Sequence, residues 1–370
     1  MLYIISVSLA FIGGTLKGKQ TQILGIFVFA ILAFLSANVD PVTTTDYTNY
    51  QTGYLSAPLG ASSAFEHGYT LLGIEAYHLG MSYAEFRLIF TYFAYAILVI
   101  AILRFTSNIS LVAFLFGIML FFNLTTQIRN LMMIALVLFG LSFLKKKSKI
   151  NILLFVIFII IAAQIHTSGY FFLSILPLSI VPPRLLYRLY FVMLFITMLI
   201  SLLIIVVGNN NFIQLITNLL GFVNRDNLMQ RLNNSYSRGT DFLIKFLITL
   251  TGIGTSWIAM NIVNRFHVTS DDYQVKNELN LLGVATLVAM LSIPLIFLAP
   301  DYSRIPRESM IFLILIVAIY FENRNKFHDM VKIISMYFVF LVPIFIYTHL
   351  IIWGPLFIDS IPYIAHWKKF

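Results

Sequence analysis

The feature that most constrains this chain is its succession of long apolar runs, parted by short stretches of basic and turn-forming residues. A helix of about 20 apolar residues spans a bilayer core, and ~17 suffice. Twelve segments qualify or come close: 2–15, 22–38, 86–103, 110–126, 131–144, 150–165, 169–182, 188–208, 242–264, 279–299, 308–321 and 332–352. Only 11% of the 370 residues are charged, against about 25% in soluble domains. With 59% hydrophobic residues there is too little polar surface to cover a water-soluble core. The sequence therefore predicts an all-α polytopic integral membrane protein of about 12 transmembrane helices, as one domain over 1–370. Leu2 to Gly13 lacks a basic n-region and a cleavage site, so it reads as a retained first helix. The segment 68–83 carries Glu75 and His78 and reads as an interfacial helix.

The net charge of +9 belongs to basic loops that orient helices, not to a nucleic-acid surface, since no basic, aromatic-interleaved domain is present. Cysteine is absent, which removes disulfides, thiolate nucleophiles and cysteine metal sites. With Lys17 and Lys19 on the cytoplasmic side, alternation puts the run 145–149 (KKKSK), Arg104, Arg324 and Lys326 there too. Arg87, Arg129, Arg225, Arg231, Arg238, Lys245, Arg304 and Arg307 then fall outside. Lysine dominates the inner set and arginine the outer. Two long loops, 39–85 and 209–241, lie outside, and 39–67 holds no Lys or Arg. An even span count puts Lys368 and Lys369 outside as well, which fits the rule poorly.

Helix centres carry almost no charge, which argues against an ion pathway. The polar residues gather at helix ends on the outer side. Asp40, Asp46 and Glu66 share a stretch with Tyr47, Tyr50 and Tyr54; acids beside aromatic rings suit a sugar, and a carboxylate can serve as general base. The plain alternative is a solvated loop with interfacial tyrosines. In QIRN (127–130), Arg129 sits between apolar runs, a costly position unless it snorkels or meets a phosphate, which guanidinium binds bidentately. His166, in IHTSGY (165–170), is a candidate base or phosphate ligand, or simply a satisfied polar residue. Arg225, Arg231 and Arg238 share one outer loop, suited to a phosphate-bearing substrate or to lipid headgroups. Arg304 and Arg307 lie three apart in PDYSRIPRES (300–309), where Asp301 and Glu308 are able to neutralise them. No HExxH and no His/carboxylate pair at ligand spacing occurs, so no metal and no cofactor is expected. Together these residues describe an arginine-rich outer face suited to a lipid-linked diphosphate sugar.

In the order of these elements the chain resembles the bacterial oligosaccharide repeat-unit polymerases, Wzy-type and in particular EpsG-like. The resemblance rests on D-x5-DY-x2-Y (Asp40 to Tyr50), E-x-G-Y (Glu66 to Tyr69), QIRN, IHTS (Ile165 to Ser168) and YSR-x2-R (Tyr302 to Arg307). It implies a fold of the GT-C kind and an inverting, metal-independent transfer on the outer face of the bacterial plasma membrane. A glycan on undecaprenyl diphosphate would be donor and a lipid-linked repeat unit acceptor. Arg129, Arg304, Arg307 and then Arg238 would hold the diphosphate. His166, Asp46 or Glu66 would be the base, and Asp40, Tyr47, Tyr50, Gln127 and Asn130 would contact sugar. Membrane lipid, a chain-length regulator and a flippase are the implied partners. The rival readings are an O-antigen ligase, a lipid-linked oligosaccharide flippase or transporter, and a membrane acyltransferase that uses His166.

Overall fold

The computed structural model describes residues 1–16, 18–61, 63, 65–146, 148–208, 211–212, 214, 242–269, 272–298, 300–327, 330–352 and 354–360. Helices dominate these residues, and no strand occurs among them. In chain order they are α1 (Leu2–Thr15), α2 (Lys19–Ala37), α3 (Tyr47–Ser56), α4 (His67–His78), α5 (Tyr83–Leu103), α6 (Ile109–Met119), α7 (Phe121–Thr126), α8 (Ile128–Leu141) and α9 (Lys149–Ile165). Then come α10 (Ile175–Ile180), α11 (Pro183–Val207), α12 (Phe242–Thr269), α13 (Tyr273–Leu291), α14 (Ile293–Leu298), α15 (Arg304–Glu308), α16 (Met310–Glu322), α17 (Val331–Ile352) and α18 (Pro355–Asp359). A 3-10 stretch, Thr167–Ser174, joins α9 to α10.

Among the described residues, seven helical stretches are long and apolar enough to cross a membrane: α2, α5, Ile128–Lys145, α11, Phe242–Val268, Tyr273–Leu298 and α17. The protein is thus a polytopic helical membrane protein. These seven stretches are fewer than the expected twelve, and shorter apolar helices accompany them. Leu2–Thr15 has 14 residues and Ile109–Met119 has 11. At 1.5 Å per residue neither reaches across a core of ~30 Å. The expected span 110–126 runs as two helical segments that meet at Leu120, and 169–182 falls in one short helix, Thr167–Ile180, that passes from 3-10 to α geometry. The predicted interfacial segment 68–83 forms α4 and the start of α5.

Local chemistry sets these boundaries. Ser82 accepts from the Glu85 amide while Glu85 bonds back to the Ser82 amide, a capping box that starts α5. Asn108 caps α6 through Leu111, and Ser148 caps α9 through Asn151. α8 and α13 are buried nearly all round, whereas α11 leaves most of its apolar surface outward. A helix buried on every side belongs to the bundle centre, and an apolar exposed one faces lipid.

The polar residues sort into two ends. At one end, Lys145 pairs with Glu278 at 2.5 Å and Lys326 with Asp272 at 2.7 Å. Glu322 accepts there from Thr106 and Ser107. The other end gathers residues 36, 66, 87, 123–130, 166–167 and 304–308. The first end holds cations that sequence reasoning calls inner, the second those it calls outer.

Candidate functional site

The second end is built on broken helices. α7 stops at Thr126, Gln127 leaves helical geometry at ψ 63°, and α8 starts at Ile128. QIRN is therefore a buried joint, not an exposed loop: Arg129 is 8% exposed and Asn130 1%. A helix break away from water survives only where protein groups take up the freed polar atoms. Here the Gln127 carboxamide oxygen accepts from Asn130 at 2.9 Å and from Arg307 at 2.5 Å. Arg307, 1% exposed, also donates to Asn123 at 3.3 Å.

Arg129 forms an ion pair with Glu66 through Nη1. Its guanidinium carbon lies 4.5 Å from the Phe65 ring centroid, 5.4 Å from Tyr50 and 5.6 Å from Tyr69. Contacts of this kind contribute up to ~2 kcal/mol each when desolvated. The other Glu66 oxygen accepts from the Thr167 amide at 2.9 Å and the Thr167 hydroxyl at 2.6 Å. Burial by itself would raise the Glu66 carboxyl. Arg129, the two Thr167 hydrogen bonds and His166 outweigh it and hold the group below the usual carboxylate range.

His166 caps the end of α9 in extended conformation, and its Nδ1 lies 2.7 Å from the Ser168 hydroxyl. Burial first, then Arg129 and Arg304, lower the imidazole to about 3 against the pull of Glu66. His166 is therefore neutral near pH 7 and offers a lone pair or an N–H, not a cation. Arg304 is within electrostatic reach of both His166 and Glu308.

Two glycines explain the spacing of the motifs. A Cβ on Gly68 would lie 2.7 Å from the Gln164 Cβ and 2.9 Å from its carbonyl oxygen. A Cβ on Gly169 would meet the Ala163 backbone nitrogen at 2.8 Å. Only glycine lets α4 and the 3-10 stretch press so closely on α9. That contact brings Glu66 and Thr167 together, so E-x-G-Y and IHTSG are two sides of one junction.

A scan of family models identifies the EpsG family over residues 22–363. The chain belongs to the EpsG family. That range includes every motif of the site, from Asp40 to Arg307. No curated protein and no solved structure matches it. Membership in the EpsG family associates the chain with polysaccharide biosynthesis.

The other expected residues divide. Asp40 sits in a turn: its carboxylate accepts from the Val42 amide at 2.9 Å and its own amide donates to the Ser360 carbonyl. Asp46 stands at the start of α3. Tyr47 and Tyr50 are 6% and 4% exposed, in an aromatic cluster with Tyr69 and Tyr83. Their faces are packed, where the sequence reading had them open to a sugar, because α3 folds onto α4 and α5. Arg225, Arg231, Arg238, Lys368 and Lys369 lie outside the described residues.

Asn123 and His349 escaped sequence reasoning, and so did the burial of Arg87 and Glu308. Arg87 donates to the Ser36 and Thr125 carbonyls at 3.2 and 2.7 Å and stands over Tyr47. Asn123 receives Arg307. Glu308 is fully buried, and neither carboxyl oxygen has a hydrogen-bond partner among the described residues. His349, also fully buried, faces Thr251 at 3.2 Å from within a π-helical turn of α17. Charged or amide residues flanking an apolar run were the available signal, and π-turns accompany functional sites often enough to have flagged His349 once seen.

Proposed function

We propose that this protein polymerises undecaprenyl-diphosphate-linked oligosaccharide repeat units on the outer face of the bacterial plasma membrane. The observation that carries this reading is the convergence of Arg129, Arg304 and Arg307 with Glu66 and His166 around the broken QIRN joint. Cations in a low-dielectric pocket are costly, and their natural counterpart is an anion that arrives with the substrate.

In this reading the acceptor hydroxyl attacks the anomeric carbon of the donor glycan. The new C–O bond forms as the bond to the diphosphate oxygen breaks, with inversion. The hydroxyl proton passes to Glu66, the carboxylate beside both Arg129 and His166. Undecaprenyl diphosphate departs with its charge held by Arg129, Arg304 and Arg307, with Arg238 as a further candidate, so the arginines do the work that a metal ion performs elsewhere. Neutral His166 orients Glu66 or the incoming hydroxyl. Asp46 remains a second candidate base. Gln127 and Asn130 serve sugar recognition or hold Arg307, and Asp40, Tyr47 and Tyr50 contribute by fixing the outer wall on which Arg129 rests. The arrangement of spans is taken to be of the GT-C kind. A chain-length regulator and a flippase are the partners this activity calls for.

The test is reconstitution. Purified protein with a lipid-linked repeat unit alone yields a ladder of polymer if the reading holds. A ligase gives no ladder without its own acceptor, and a flippase moves labelled lipid across vesicles without forming a bond.

A further inference from the structure

The groups around Glu66 look like an anion site that already has an occupant. One carboxylate oxygen takes the Arg129 guanidinium; the other takes the Thr167 backbone N–H and hydroxyl. A guanidinium, an amide N–H and a hydroxyl converging on two oxygens of one anion are the donors that bind a phosphate. We propose that Arg129 and Thr167 form a phosphate-binding subsite which Glu66 fills in the unliganded chain, and that one phosphate of the diphosphate substrate displaces it. This deepens the proposed polymerase function and rests on it.

Three features support exchange at this place. The donors are held without Glu66. Arg129 is bracketed by Phe65, Tyr50 and Tyr69, and its Nε has no partner among the described residues. Thr167 is fixed by the turn in which the Gly169 amide donates to the His166 carbonyl at 2.9 Å. Access is available too: Thr167 is exposed and the Glu66 side chain is 17% exposed. Glu66, finally, needs only a side-chain rotation to leave: its backbone stays at the N-cap of α4, where its carbonyl accepts from the Thr70 amide at 3.0 Å. A phosphate brings more charge and more acceptor oxygens than a carboxylate. The exchange couples substrate binding to base release. The carboxylate that is tied up by Arg129 in the empty protein is freed when the diphosphate arrives.

Inorganic pyrophosphate is the probe, titrated calorimetrically into the purified full chain in detergent. Glu66→Gln should bind it at least about tenfold tighter than the parent, a gain of ~1.4 kcal/mol. Adding Arg129→Ala or Thr167→Val to Glu66→Gln should remove that gain. A monodisperse Glu66→Gln protein that binds pyrophosphate no better than the parent overturns the proposal. Should Glu66→Gln not fold, Glu66→Asp, shorter by one methylene, takes its place with the same expected direction and the same overturning result. The two readings fail separately. A gain in pyrophosphate affinity without any polymer from the parent protein sinks the polymerase function and leaves the subsite. A polymer ladder that requires Arg129, with no gain in Glu66→Gln, sinks the subsite alone.

Discussion

The two ends of this molecule handle charge in opposite ways. At the end with Lys145 and Lys326, each lysine has a carboxylate within 2.7 Å, and the Lys326–Asp272 pair lies open, with 48% and 28% of its side chains exposed. Glu322 spends both its oxygens on Thr106 and Ser107. At the end with Arg129 and Arg307, charges are buried, amide groups share them, and polar atoms of Arg129, Asn130, Glu308 and His349 stay unpartnered among the described residues. Buried polar atoms without partners cost about 1–3 kcal/mol each. A fold carries such a cost where function requires it. The first end pairs its lysines with carboxylates, and the second carries the buried charges on which the proposed binding chamber rests.

The largest expected difference between the ends is all-or-none. The chain has no cysteine, so single cysteines report topology directly. Val42→Cys, at a position 91% exposed on the arginine end, should react with an impermeant maleimide in intact cells. Asn325→Cys, exposed at the lysine end, should react only after permeabilisation. The reverse pattern would invert the orientation.

Arg129→Ala and Arg304→Ala come next, and each should lower polymer formation by roughly 10²–10³-fold, the scale of losing one charge-stabilising donor. Equal polymer from variant and parent would dissociate the chamber from the chemistry. Lys145→Ala strikes the other end, leaving Glu278, 5% exposed, with its 3.3 Å contact from Gln274 among the described residues. It should destabilise by about 1–3 kcal/mol while activity per folded molecule is kept; thermal unfolding beside a polymer assay separates the two.

A smaller effect follows from His166. Its folded value near 3 lies below the ordinary 6.5, so the unfolded chain takes the proton first as pH falls. His166 therefore supports stability above pH 6.5, and that support is lost progressively toward 3. Glu66, lowered by Arg129, adds a loss of the same sign below the ordinary 4.5. His166→Gln should flatten the upper part of the decline, and an unchanged slope would place the titration elsewhere. Smallest of all, Lys326→Ala removes an exposed pair and should cost under about 1 kcal/mol.

The division into ends was legible in the sequence, because basic loops alternate with apolar runs and lysine separates from arginine. Arg129, Glu66 and His166 were singled out as residues, and their neighbourhood was not. The reason is physical. Glu66 meets Arg129 only because Gly68 and Gly169 let two segments close on α9, and a glycine's value as a contact appears once its neighbour is known. For QIRN the sequence allows two solutions, an arginine that snorkels to the interface or one that meets a partner. Glu66 supplies the partner for Arg129, and Arg307 joins Asn123 and Gln127 from positions about 180 apart in the chain. Tyr47 and Tyr50 had the composition of a sugar platform and became a wall, since α3 buries the face that the alternation of acids and tyrosines left open.

The central claim is that the arginine end makes the glycosidic bond. Proteoliposomes holding the parent, Arg129→Ala or Lys326→Ala protein, each supplied with one purified undecaprenyl-diphosphate-linked repeat unit, test it directly. The parent and Lys326→Ala should give a polymer ladder and release undecaprenyl diphosphate in step with each bond, whereas Arg129→Ala should give neither. A ladder from Arg129→Ala, or none from the parent, would contradict the account.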